Sequence, residues 1–154
     1  MKTYADANVL VRLYLNLPGS DEIAAQLRSA EGQRDWPLPI TDLLRFEIVN
    51  GIQRMVFESR HGGQWRVTAE TAACALSDFE DDFGDRLFLH HSPLVLREIE
   101  SEVLSLANRY TAKEGFRTYD VMHVASALTL RCKRFLSFDA KAARLAKWVG
   151  LETR

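Results

Sequence analysis

The chain has 154 residues, of which 47% are hydrophobic and 27% charged, with a formal net charge of −1. This length fits one domain over residues 1–154 with a sizeable core, and the composition excludes a disordered chain. No apolar run approaches the ~20 residues that span a bilayer, and the balanced charge gives no global pull toward nucleic acid.

Residues 3–6 read as a short strand, with an apolar segment over residues 8–15 directly after it. Pro18 and Gly19 break the pattern, and Ser20 or Asp21 caps a helix through about residue 28. Residues 36–40 read as an extended piece. Thr41 or Asp42 caps a helix to about residue 58, with Leu44, Ile48, Ile52 and Met55 at helical spacing. Gly62-Gly63 marks a turn, and Thr68 opens a helix to about residue 83. Residues 86–90 are strand-like. Ser92-Pro93 predicts a helix opening with proline at its first position, and that helix ends at Gly115. Residues 120–131 predict a buried helix, 135–138 a strand, 141–149 a helix, and Leu151 a last strand. Strands alternating with helices imply an α/β fold whose parallel sheet is covered on both faces. Ligands gather outside the carboxyl ends of such strands.

The N-terminus lacks the apolar core of a signal peptide, and Cys74 and Cys132 lack metal-like spacing. Both features suit a cytoplasmic protein with reduced thiols. Charge is unevenly spread. Seven basic residues fall from position 131 onward (Arg131, Lys133, Arg134, Lys141, Arg144, Lys147 and Arg154), and five acids fall between 78 and 85. Solvated helix faces and functional patches both explain such clusters.

Four acids sit where charge is expensive. Asp6 is the only charge between Lys2 and Arg12, Glu47 between Arg45 and Arg54, and Asp120 between Arg117 and Arg131. Asp139 follows the apolar stretch Phe135-Leu136-Ser137-Phe138. Asp6, Asp120 and Asp139 each precede a helical stretch, so helix capping explains any one of them alone, at about 0.5–2 kcal/mol. Glu47 lies inside a helix, where a buried charge needs a partner; an arginine would serve. If all four converge, mutual repulsion raises their pKa values, and hard divalent cations relieve it. Oxygen ligands suit Mg²⁺ or Mn²⁺ rather than Zn²⁺. Such a site performs in-line phosphoryl displacement, with two ions or with one ion and a water-activating carboxylate.

These residues, in this order, resemble the PIN-domain ribonucleases, specifically the VapC-like toxins of type II toxin–antitoxin systems. Tyr4-Ala5-Asp6-Ala7-Asn8 resembles the family's strand-end Asp motif, and residues 41–47 with Asn50 resemble its second acidic motif. Asp120 opening the Ala-rich helix through Ala127 is the closest match, and Leu136-Ser137-Phe138-Asp139 resembles the closing motif. The resemblance implies a three-layer α/β/α sandwich and metal-dependent cleavage of single-stranded or loop RNA. It also implies a homodimer and a small antitoxin that blocks the site.

Around the acids, Asn8 is expected to orient Asp6 or bond a ligand water, or else to cap. Thr41 is a helix cap or a support for a carboxylate. His123 orients Asp120, touches substrate, or is a satisfied core histidine. Arg117, Arg45, Lys141 and Arg144 are phosphate-binding candidates against a default of structural salt bridges. Trp36, Trp65 and Trp148 are stacking candidates against a default of core packing. His90-His91 is expected to hold no metal.

Two rivals stand beside the nuclease. A haloacid-dehalogenase-like phosphatase would use Asp6 as nucleophile, but it needs a second acid where Asn8 stands. A non-catalytic binding module would leave Glu47 unexplained.

Overall fold

The computed structural model describes residues 2–31 and 37–153, and the side chains of all of these except 28–31. Trp36 and Arg154 lie outside the described residues. Strand β1 (Thr3–Ala5) runs into helix α1 (Ala7–Tyr14), followed by α2 (Ser20–Glu31), β2 (Leu38–Ile40), α3 (Asp42–Arg60) and α4 (Ala69–Asp85). Then come β3 (Leu89–His91), α5 (Leu96–Leu106), a π-helical turn (Ala107–Thr111), α6 (Ala112–Glu114), α7 (Thr118–Thr129), β4 (Arg134–Leu136), α8 (Ala140–Trp148) and β5 (Glu152–Thr153).

The strands pair in parallel, in the order β1-β4-β5, with β2 and β3 forming a second parallel pair that lies against β1. Helices α1 to α4 pack on one another, and α7 packs on α5 and α8. The architecture is the expected mixed α/β arrangement with a central parallel sheet, consistent with a PIN-like α/β/α fold. Every residue of β1, β2 and β4 is buried, as strands covered on both faces require.

Capping follows the sequence closely. Asp6 accepts from the Ala7 N–H, Thr41 from Leu44, Thr68 from Thr71, and Asp139 from Lys141 and Ala142. Three expectations are corrected. The strand predicted over 86–90 is Leu89–His91, because Arg86 takes a left-handed conformation and Leu87 stays exposed. Helix α5 does not open at Ser92-Pro93. The Ser92 N–H donates to Ile40 O at 2.9 Å, which continues the β2–β3 pairing, and the helix starts at Leu96 with the Val95 N–H bound by Glu98. Asp120 is the third residue of α7 rather than its cap. Arg117 stands at the cap, and its N–H donates to Asp120 Oδ2 at 3.1 Å.

The α1–α3 contact brings these two helices together beside the acids. A Cβ on Gly51 would stand 2.9 Å from Val11 Cγ2, so only glycine fits without a shift. Gly51→Leu is therefore expected to destabilise the protein by about 2 kcal/mol through overpacking, read as a lower urea midpoint with an unchanged slope.

Candidate active site

The acids come from the carboxyl ends of β1 and β4 and from the inward faces of α3 and α7. On α3, Leu44, Ile48, Ile52 and Val56 are buried in the core. Glu47, Asn50, Gly51, Arg54 and Met55 turn instead to a cavity of about 330 Å³. Asp6, Asn8, Arg117, Tyr119, Asp120, His123 and Asp139 complete its walls. All four sequence-derived acids therefore meet at one cavity.

Asp6 is buried and held at both oxygens. Oδ1 accepts from the Ala7 N–H at 2.7 Å, and Oδ2 accepts from Asn8 Nδ2 at 2.8 Å and Ser137 Oγ at 2.7 Å. Ser137 Oγ also accepts from the Asp139 N–H at 2.9 Å, and Asn8 Oδ1 accepts from the Phe138 N–H at 2.9 Å. The β4–α8 turn is thus fastened to the start of α1. Asp139 spends Oδ1 on the cap bonds to Lys141 and Ala142.

Glu47 finds its partner in histidine. His123 is buried, donates from Nε2 to Glu47 Oε2, and lies 4.0 Å from Asp6 Oδ1. Its Nδ1 bonds the Tyr4 hydroxyl at 2.8 Å, and Thr41 hydrogen-bonds the same hydroxyl. A chain of polar groups runs from Thr41 through Tyr4 and His123 to Glu47. Thr41 caps α3 and lies outside the cavity walls. His123 braces Glu47, and no bond to Asp120 is observed among the described residues.

The electrostatics show the crowding. Asp120 is pushed above its ordinary carboxyl value, first by burial and then by the charges of Asp139 and Asp6; the Arg117 N–H and the Arg117 charge oppose this. Burial pulls His123 downward, but the Glu47 bond and the charges of Asp6, Glu47 and Asp120 outweigh it, so the imidazole lies above its ordinary value.

Ligand atoms of Asp6, Glu47 and His123 lie within 4.8 Å of one another, close enough to share one ion. The two carboxylates, with two more in the same cavity, fit a hard divalent cation, while His123, whose ring nitrogens bond Glu47 and Tyr4, holds Glu47 in place.

The PIN domain family matches residues 3–147. The chain belongs to the PIN-domain family. PIN domains are generally metal-dependent nucleases and bind divalent metals, which is the chemistry this acidic cluster suits. A comparison with curated proteins finds no match.

Other candidates are placed differently. Arg45 pairs with Glu80 at 2.7 Å, Arg144 pairs with Glu114 at 2.8 Å, and Lys141 Nζ donates to Gly115 O. These take the structural role that was the default. Arg117 remains on the cavity wall; Arg54 also lines it, but its Nε donates to Glu58 Oε1 at 2.8 Å. Trp65 packs against the core, and Trp148 packs on Tyr110 and Phe116. His91 pairs with Asp42 at 2.8 Å. Burial pushes the Cys132 thiol up to about 11, which leaves it inert at neutral pH.

Tyr4 and Ser137 were missed. Both carried a positional signal: Tyr4 is two residues before Asp6, on the same strand face, and Ser137 is two before Asp139.

Proposed function

We propose that this chain is a divalent-metal-dependent endoribonuclease of the VapC-like kind, acting as the toxin of a toxin–antitoxin pair. The observation that carries this reading is the meeting of Asp6, Glu47, Asp120 and Asp139 at one cavity with His123 bracing Glu47. Asp6, Glu47 and Asp120 are the ligands of Mg²⁺ or Mn²⁺, and Asp139 completes the negative wall. A bound ion supplies Lewis acidity, which lowers the pKa of a water and stabilises the leaving oxygen. Asn8 and Ser137 hold Asp6 in place, so its carboxylate needs no reorganisation on binding. Arg117, on the wall of the same cavity, attracts the phosphate.

The phosphatase reading is disfavoured by Asn8. Where such an enzyme carries a second acid, this chain has an amide that donates to Asp6. The homodimer, the antitoxin, the cytoplasmic setting and the single-domain span rest on the family resemblance and the sequence. Exposed Leu96 and Leu104 give α5 an apolar surface for protein contact. No helix of the described residues is long and apolar enough to cross a membrane.

The test is metal-dependent cleavage. RNA is expected to be cut with Mg²⁺ or Mn²⁺, left intact in EDTA, and cut again when metal is restored. Sequencing RNA ends after induced expression then identifies the target. Unchanged turnover in EDTA overturns the metal mechanism, and the appearance of an aspartyl-phosphate supports the phosphatase instead.

A further inference from the structure

A second cavity of about 300 Å³ adjoins the acids, lined by Val9, Gly19, Glu22, Ile23, Gln26 and the turn over 136–138. The two cavities share a wall. Asn8 faces the acids while its side chain bonds Ser137 Oγ and the Phe138 N–H, and both of those residues line the second cavity.

We propose that this second cavity is a nucleobase subsite that selects guanine beside the scissile phosphate; the inference rests on the nuclease reading. Three observations carry it. Phe138 is 44% exposed at the rim, and the Arg12 guanidinium lies 4.1 Å from its ring centroid. An aromatic ring braced on one side is a stacking platform for a base on the other. Gly19, at φ 94°, lets the chain pass close to this ring: a Cβ there would stand 3.4 Å from Phe138 Cζ.

The third observation is Glu22. It lines the cavity from the first turn of α2 and is exposed there, and among the described residues none forms an ion pair with it. A carboxylate facing an RNA strand is repelled by phosphate unless it accepts hydrogen bonds from a base. Guanine presents two adjacent donors, N1–H and the 2-amino group, which a carboxylate accepts together. Adenine and cytosine place an acceptor beside their amino group, and uracil flanks its single N–H with two carbonyls. Only guanine therefore offers Glu22 two donors side by side; every other base sets an acceptor against one of its oxygens.

The test is fluorescence anisotropy in EDTA, where binding is read without cleavage. The probes are short labelled oligouridylates carrying one guanosine, inosine, adenosine or cytidine. The guanosine probe is expected to bind roughly 10-fold more tightly than the adenosine or cytidine probes, with inosine, which lacks the 2-amino group, between them. Glu22→Gln should bring the guanosine-to-adenosine ratio close to 1. Phe138→Ala should weaken all probes roughly 10-fold. Cleavage by the wild type with Mn²⁺ is followed on the same probes. RNA that is bound and cut with no guanine preference, or with a preference that survives Glu22→Gln, overturns the subsite and leaves the nuclease standing. If no probe is bound and no RNA is cut, both fall together.

Discussion

An Asp120→Asn protein is expected to cleave RNA at least about 10²-fold more slowly than the wild type, yet to melt in EDTA at an equal or slightly higher temperature. The two effects have one cause. Burial, then Asp139 and Asp6, push the Asp120 carboxyl above its ordinary value of 3.8, so its ionised form is disfavoured in the metal-free fold. A raised pKa means that the native state binds more protons than the unfolded state between 3.8 and the raised value. Stability therefore falls as pH climbs through that window, and the deficit persists at neutral pH. The amide removes this deficit and keeps the oxygen that receives the Arg117 N–H. Asp120 is only half-buried, so solvent screening limits the gain to about 1–2 °C. A cation at the site needs the carboxylate charge, which the amide lacks. Cleavage at the wild-type rate by a folded Asp120→Asn protein removes Asp120 from the machinery, and melting well below the wild type shows that its charge is structural.

Much of this was legible in the sequence because charge is costly in apolar surroundings. Asp6, Glu47 and Asp120 stood alone among apolar neighbours, and each lines the cavity. Element types followed from caps and periodicity, down to Thr41, Thr68 and the left-handed Gly115 that ends α6. The start of α5 was misread because Ser-Pro is a local signal. The backbone of Ser92 found a stronger use as the last donor to β2, a pairing of distant strands that no local window contains. Asp120 was misread by three positions for a similar reason. A carboxylate one turn inside a helix also bonds the cap N–H, so the sequence alone does not separate the two positions. The brace on Glu47 was invisible from either side. Glu47 asked for a partner and His123 for a purpose, but they lie 76 residues apart and meet only when α3 and α7 close over β1.

That brace carries the second large effect. His123→Ala is expected to lower stability by about 2–4 kcal/mol and to slow cleavage roughly 10-fold. The buried imidazole fills space at the foot of the cavity and satisfies the Tyr4 hydroxyl, which is fully buried and stacked on Phe135. Without it, that hydroxyl keeps only Thr41, and Glu47 is released toward Asp6, the carboxylate it should avoid. The pH dependence separates this role from simple packing. The groups facing His123 are Tyr4, Asp6, Glu47 and Asp120, and the three acids hold its folded pKa above the ordinary 6.5. A raised pKa gives a contribution that is complete below 6.5 and fades as pH rises through the folded value. In EDTA, the stability gap between wild type and His123→Ala should therefore narrow from mildly acid to alkaline pH, as urea unfolding across that range would show. A gap that does not change with pH means that the imidazole acts only by filling volume, and Glu47 then owes its position to α3 alone.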